Sequence, residues 1–423
     1  MTGQSLSPDH VLSRSWSPPL AQSARASAGS NASAIYWAYV LLAIFNIASP
    51  KAGIEVFGLP LTFGYILLAV IAPIALVGLI GRPTLSAASI GNFVAYLIVG
   101  LIGVYKTYLY GAAAFSVVLN LALFIALPMI MLVAFSAYLE YLTEKQIGEV
   151  LRWCMRFVIA WGLMNFVLYA LFKYIVVIEY LTTNASEAAG VIGRNNRRGD
   201  LMKLVSTYNN GNIFGVCMIM LGPIYLYFEK SRAWALAFLI AVVLSLSRAT
   251  WLGLLIIGML MALTGQIRLS RGYFWLAMTG SIVLAVIMAA WIGWSVDSFT
   301  DPTLHHRIDQ WTDLTLLPFG ENTFRIAEIL YAGLLRSFGV IGFLIALVAL
   351  LFPVGYALGH YAQMSVLRRA AMVGCIGYLI VAFVDAAFVV PPTIVIFLFA
   401  SALVYRRGFR LPSGQPLRAA PVR

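Results

Sequence analysis

Apolar runs of bilayer-crossing length recur from residue 34 to residue 406, and this recurrence restricts the chain more than any other feature. A helix needs about 20 apolar residues to cross a hydrocarbon core. Backbone groups have no water to bond there, so only helices and closed barrels span it. Barrel strands alternate apolar and polar residues, whereas these runs are continuous. They read as 34–49, 57–80, 87–105, 112–139, 151–178, 209–228, 233–247, 249–265, 273–294, 327–352, 370–389 and 392–406. The expectation is an all-α polytopic membrane protein with about twelve transmembrane helices across 34–406. Charged residues are 10% of the chain, against about 25% in soluble domains, which agrees.

Residues 1–33 are rich in Ser, Ala and Pro and lack an apolar stretch. They read as a disordered cytoplasmic tail rather than a signal peptide. Residues 407–423 read as a basic cytoplasmic tail. With the N-terminus inside, most of the 28 lysines and arginines fall on the inner side, as the positive-inside rule requires. Anionic lipid facing those segments explains much of the net charge of +12, and no nucleic-acid partner is implied. Cys154, Cys217 and Cys375 lie in apolar runs, form no CxxC pair and read as small core residues.

Two long outer loops break the charge rule. Residues 179–208 carry Arg194, Arg197, Arg198 and Lys203, and residues 295–326 carry Arg307 and Arg325. Between them, LSLSRATWLGL (244–254) puts Arg248 at a junction of two spans on the same side. An arginine at membrane depth costs about 3 kcal/mol on insertion scales; it marks a partnered functional site or snorkels to the interface. Clustered outer cations point to an anionic ligand in a one-sided polar cavity. Asn209, Asn210 and Asn212 open the next span, either as caps or as sugar ligands.

The order of these segments resembles the O-antigen polymerase and ligase superfamily. The resemblance is carried by TYNNGNIFG (207–215), LSLSRATWLGL (244–254), HRIDQW (306–311), PFG (318–320) and EILYAGLLRSFGVIG (328–342). It covers roughly residues 190–350 and extends to the twelve-span layout. It implies a GT-C-like, C-type lipid-linked glycosyltransferase of the bacterial inner membrane, with both termini cytoplasmic and the active site facing the periplasm. Such enzymes transfer glycan from undecaprenyl diphosphate to an acceptor hydroxyl. The family's diphosphate-binding arginines correspond here to Arg248 and to one of Arg194, Arg197 and Arg198, which the sequence does not choose between. Ligases of the group carry a His about fourteen residues before the last glycine of the final motif. Glu328 stands there, fourteen residues before Gly342, which favours a polymerase or a ligase-like enzyme with a carboxylate base.

Transfer from a glycosyl diphosphate needs charge stabilisation on the leaving group and a base for the attacking hydroxyl. Arginine suits the first role, because its planar fork grips phosphate oxygens and stays charged. Glu328 is the candidate base, and its bland alternative is a carboxylate at a helix N-terminus. Asp309, Asp313 and Glu321 are its rivals, and Arg325 is placed to pair with it. Arg307, Arg325 and Asn209 join the glycan- and diphosphate-binding candidates. No cofactor or metal is expected: neither outer loop has a DxD, and His305 and His306 are adjacent rather than spaced as ligands. The expected partners are the undecaprenyl diphosphate-linked glycan and the bilayer, with a chain-length regulator left open. Two alternatives remain: a ligase acting on lipid A core or protein, and a carrier or flippase for a lipid-linked anionic substrate. Carriers usually show internal repeats and midplane charges, and neither is evident here.

Overall fold

The computed structural model describes residues 33–408 except 57–58, 80–84, 111–113, 184–195, 199–200, 267–270, 292–309, 312–313, 315, 322–323, 325–328 and 386. The helices are α1 (Ser33–Ala48), α2 (Phe63–Leu79), α3 (Ala87–Tyr110), α4 (Ser116–Leu139), α5 (Glu144–Phe172) and α6 (Gly211–Phe228). They continue as α7 (Arg232–Leu244), α8 (Arg248–Leu263), α9 (Arg271–Trp291), α10 (Leu330–Gly359), α11 (Val366–Val381) and α12 (Thr393–Tyr405). Five of them, α3, α4, α5, α6 and α10, are long and apolar enough to cross a membrane. The chain is an all-α membrane protein. Two short antiparallel hairpins, β1 (Gly53–Val56) with β2 (Leu59–Thr62) and β3 (Arg197–Arg198) with β4 (Leu201–Met202), interrupt it.

Helix bounds depart from the apolar runs where polar residues belong to a helix. The run 151–178 becomes α5 at Glu144–Phe172, because Thr143 and Gln146 form a reciprocal capping box that starts the helix in a charged turn. Lys173, in the left-handed conformation, ends it. The run 57–80 loses its first residues to the β1–β2 hairpin. In α4, Pro128 removes an amide donor, and π-helical turns flank it at Ala122–Ala126 and Met129–Phe135. The Leu132 carbonyl there accepts from both Ser89 and Ser136 hydroxyls.

α6 is the centre of the bundle: its residues from Ile213 to Tyr225 are almost all buried. α11 packs along it closely enough that a Cβ at Gly374 would collide with the Met220 carbonyl. α8 meets it through Gly253 against Ile219 and Thr250 against Gly215. Small residues give this close approach, as in other apolar bundles, where dispersion rather than water release drives helix association. All three cysteines are buried and free of disulfides.

The end of the bundle opposite the polar loops is pinned by charge. The buried Arg406 guanidinium donates to the Leu139 carbonyl at 3.1 Å and to the Leu142 carbonyl, while Glu140 accepts the Arg407 and Gly408 amides at 2.6 and 2.9 Å. Arg156 grips Glu229 bidentately at 2.8 and 2.7 Å, between the rings of Trp153 and Trp234. Burial alone would raise the Glu229 pKa, but Arg156 and the Ser231 amide outweigh it and hold the carboxyl below its usual range.

Two measurements follow. Gly374→Ala inserts a methyl where no space exists and should cost about 1–3 kcal/mol. Gly355→Ala, at an exposed position with open space around it, should not lower the melting temperature. Melting curves in detergent decide; equal behaviour of the two variants would contradict the packing described. Because the folded-state pKa of Glu229 is depressed, its stabilisation is present above the ordinary carboxylate pKa and is lost as pH falls through the lowered value. Wild type should therefore melt above Glu229→Gln at neutral pH, and the gap should close in acid.

Candidate anion site at two helix N-termini

Between α5 and α6, the described residues 196–198 and 201–210 are tied into the bundle by hydrogen bonds. Asn196, buried, is their hub: its carbonyl accepts the Lys203 amide at 2.7 Å, and its Nδ2 donates to the Asn209 carbonyl at 2.7 Å. Its Oδ1 accepts the Gly211 amide at 3.2 Å. Ser206 to Tyr208 form one turn of 3-10 helix pressed into the bundle. Each hydroxyl of that turn donates to a helix carbonyl: Ser206 to Val158 at 2.7 Å, Thr207 to Ala48 at 2.7 Å and Tyr208 to Ile47 at 2.9 Å. The Tyr208 ring is buried, so it cannot serve as a platform for sugar stacking.

This turn seats the N-terminus of α6. Asn210 is its N-cap, and its Oδ1 accepts the Asn212 and Ile213 amides at 2.8 and 3.4 Å. Asn209 takes a left-handed conformation and donates to the Thr183 hydroxyl. Asn212 accepts from Lys203 Nζ at 2.8 Å. The asparagines cap, cross-link and hold a cation; Asn209, the proposed ligand, donates one amide hydrogen to Thr183.

The N-terminus of α8 lies beside that of α6. The Leu204 amide donates to the Leu244 carbonyl at 2.8 Å, and Thr250 packs on Gly215. A Cβ at Gly211 would stand 2.6 Å from Lys203 Cβ and 3.0 Å from the Ser245 carbonyl. Arg248 is the first residue of α8, after the N-cap Ser247. Two helix N-termini, each equivalent to roughly half a positive charge, are thus set side by side in parallel.

Two cations stand at this point. Lys203 is buried with only 1% of its surface exposed, and Arg248 is half-buried. Lys51, also buried, is within electrostatic reach of Cys217 on α6. Arg197 is exposed on the β3–β4 hairpin, with Arg198 next to it in register with Leu201. The first amides of α6 are already capped by Asn196 and Asn210, so what the place offers an anion is the positive ends of two helix dipoles with a lysine and an arginine beside them. Sequence reasoning passed over both Lys51 and Asn196. Neither has a local signature, since both roles arise from long-range packing. Asp385, at the turn after α11, is likewise buried, in the turn where the Ala382 carbonyl accepts the Leu330 amide.

Arg194, Arg307, Arg325 and Glu328 lie outside the described residues, as do Asp309, Asp313, His305 and His306. Glu321 is described, and its amide donates to the Arg336 carbonyl at 2.6 Å. Among the described residues, no three His, Cys, Asp or Glu side chains are grouped to hold a metal. No protein-family model, curated protein or solved structure matches the chain.

Asn196→Ala should leave the Gly211 amide and Asn209 carbonyl without their partners, costing about 1–3 kcal/mol. Asn196→Asp keeps the acceptor for Gly211 and should recover part of that loss. The check is the melting temperature together with amide exchange at Lys203 and Gly211. Unchanged exchange in Asn196→Ala would mean that Asn196 is not the hub.

Proposed function

We propose that the chain is a bacterial cell-surface polysaccharide polymerase of the inner membrane. It transfers glycan from undecaprenyl diphosphate to a sugar hydroxyl of a lipid-linked acceptor at the periplasmic face. The observation that carries this reading is the paired N-termini of α6 and α8 with Lys203 and Arg248 on them. A diphosphate carries several negative charges in a compact space, and this arrangement suits it. The choice of a glycan donor rests on the ordered motifs between residues 207 and 342.

In this proposal α1 to α12 are twelve crossings with both termini cytoplasmic. Helices such as α7 and α8, of 13 and 16 residues, span about 20–24 Å, and protein neighbours cover what they leave short. The acceptor oxygen attacks the anomeric carbon as the bond from that carbon to the diphosphate oxygen breaks. The diphosphate leaves with the bonding electrons, and the cations stabilise its charge. The hydroxyl proton passes to Glu328, the proposed base. One or more of Arg194, Arg197 and Arg198, with Arg307, Arg325 and Asn209, complete the proposed binding set, and no metal takes part.

A ligase acting on lipid A core or protein uses the same chemistry with a different acceptor. The carrier reading has one observation in its favour, because α10 is broken at Gly339. That break is filled by the chain's own Leu317–Glu321 rather than lining a passage.

Purified protein in lipid, given undecaprenyl diphosphate-linked repeat units, should release undecaprenyl diphosphate and form a ladder of products, with or without EDTA. Arg248→Ala should reduce the rate about a hundredfold or more, and Arg248→Lys should restore only part, because lysine lacks the bidentate fork. Single-step transfer to another acceptor would select the ligase. Movement of intact donor across the bilayer without cleavage would select the carrier and end the enzyme reading.

A further inference from the structure

α10 is one run in sequence but two helices in space. Gly339 breaks it with φ 67° and ψ −172°, leaving Leu330–Phe338 as a short first half. The segment Leu316–Glu321, which contains the PFG motif, is inserted into that break. The Leu317 carbonyl accepts the Val340 amide at 3.0 Å, and the Pro318 carbonyl accepts the Ile341 amide at 3.2 Å. In return the Arg336 carbonyl accepts the Glu321 amide at 2.6 Å. Gly320, at φ 77°, touches Gly339 so closely that a Cβ on either would collide with the other's backbone. The rings of Phe124, Phe324 and Phe338 close over the junction with centroids 5.0–6.2 Å apart.

One cation reaches this junction from another helix. Lys106 of α3 is buried, and its Nζ donates to the Ser337 carbonyl at the C-terminal end of the first half-helix. A positive charge there complements the negative end of the helix dipole. Glu321, on the inserted segment, is within electrostatic reach of the same ammonium. Asn120, buried on α4, lines the small cavity beside Lys106 together with Thr107, Ser116 and Ser337. Lys106 therefore ties α3 to the first half of α10 at Ser337, one residue after the Arg336 carbonyl that seats the PFG segment.

We infer that Lys106 is a positioning residue: it holds the break in α10 open and the PFG segment seated in it, and so fixes the start of α10. Glu328 precedes Leu330, the first residue of that half-helix, by two residues in sequence, and the proposed base is thereby linked to it. This last link rests on the proposed role of Glu328, whereas the seating of the PFG segment does not.

Amide hydrogen exchange on the full-length protein in lipid tests the seating. Lys106→Met should raise exchange at Glu321, Val340 and Ile341 about tenfold or more, because these amides lose a charge-held partner segment. Exchange at Leu204 and along α6 should stay unchanged, and Lys106→Arg should restore protection. Wild-type protection in Lys106→Met would overturn the inference. Should that variant fail to fold, Glu321→Gln is read at Val340 and Ile341 in the same way. With the lipid-linked donor, Lys106→Met should lower kcat more than it changes KM. No turnover by wild type would sink the polymerase reading and leave the exchange result standing. A kcat equal to wild type alongside raised exchange would remove Lys106 from any role in positioning Glu328.

Discussion

In an apolar medium every backbone amide and carbonyl needs a partner from the protein, and most of this chain's unusual features answer that requirement. Pro128 in α4 is accommodated by π-helical turns, and the Leu132 carbonyl accepts two serine hydroxyls. The break at Gly339 is answered by Leu317–Glu321, which supplies two carbonyls and takes one. The turn before α6 sends its three hydroxyls into carbonyls of α1 and α5. In each place a departure from regular helix is tolerated because a distant segment completes it.

The same requirement explains how the cations at the polar end are held. Lys203 cannot be buried beside α6 without an acceptor, and Asn212, in the first turn of that helix, provides one. Asn196 and Asn210 take the first amides of α6, which leaves the helix dipole in place while its donors are satisfied. The field at this point is therefore set by rigid parts: helix ends, a buried ammonium and an arginine on the first turn of α8. Preorganised charge of this kind needs no rearrangement when an anion arrives, as the proposed stabilisation of a departing diphosphate requires.

The coarse architecture was legible because its cause is local. Long apolar runs without charge can be little else than helices in a bilayer, and the starts of α6, α7, α8 and α12 fall within two residues of the runs that imply them. Where a helix begins in polar residues, as α5 does at the Thr143 capping box, hydropathy alone misplaces it by seven residues. Arg248 drew notice as a charge among apolar neighbours, which is again a local signal. Asn196, Lys51 and Lys106 did not, because their roles are defined by carbonyls and helix ends far away in sequence. The β1–β2 hairpin escaped for a related reason: its residues are apolar enough to pass for the start of α2.

The break in α10 bears on what kind of machine the chain is. Carriers use discontinuous helices to expose unwound backbone to a substrate or ion that must pass through. Here Leu317–Glu321 occupies the unwound turn, and its hydrogen bonds use the amides and carbonyl a cargo would need. Glycine at both 320 and 339 leaves no gap between the two segments, and the three phenylalanine rings enclose them. A break closed in this way orients an element instead of opening a path. It turns the first nine residues of α10 into a separate rod whose direction is set by α3 and α11 rather than by the rest of its own helix. Such a device suits the fixed, one-sided site proposed at the N-termini of α6 and α8, where Lys203 and Arg248 stand.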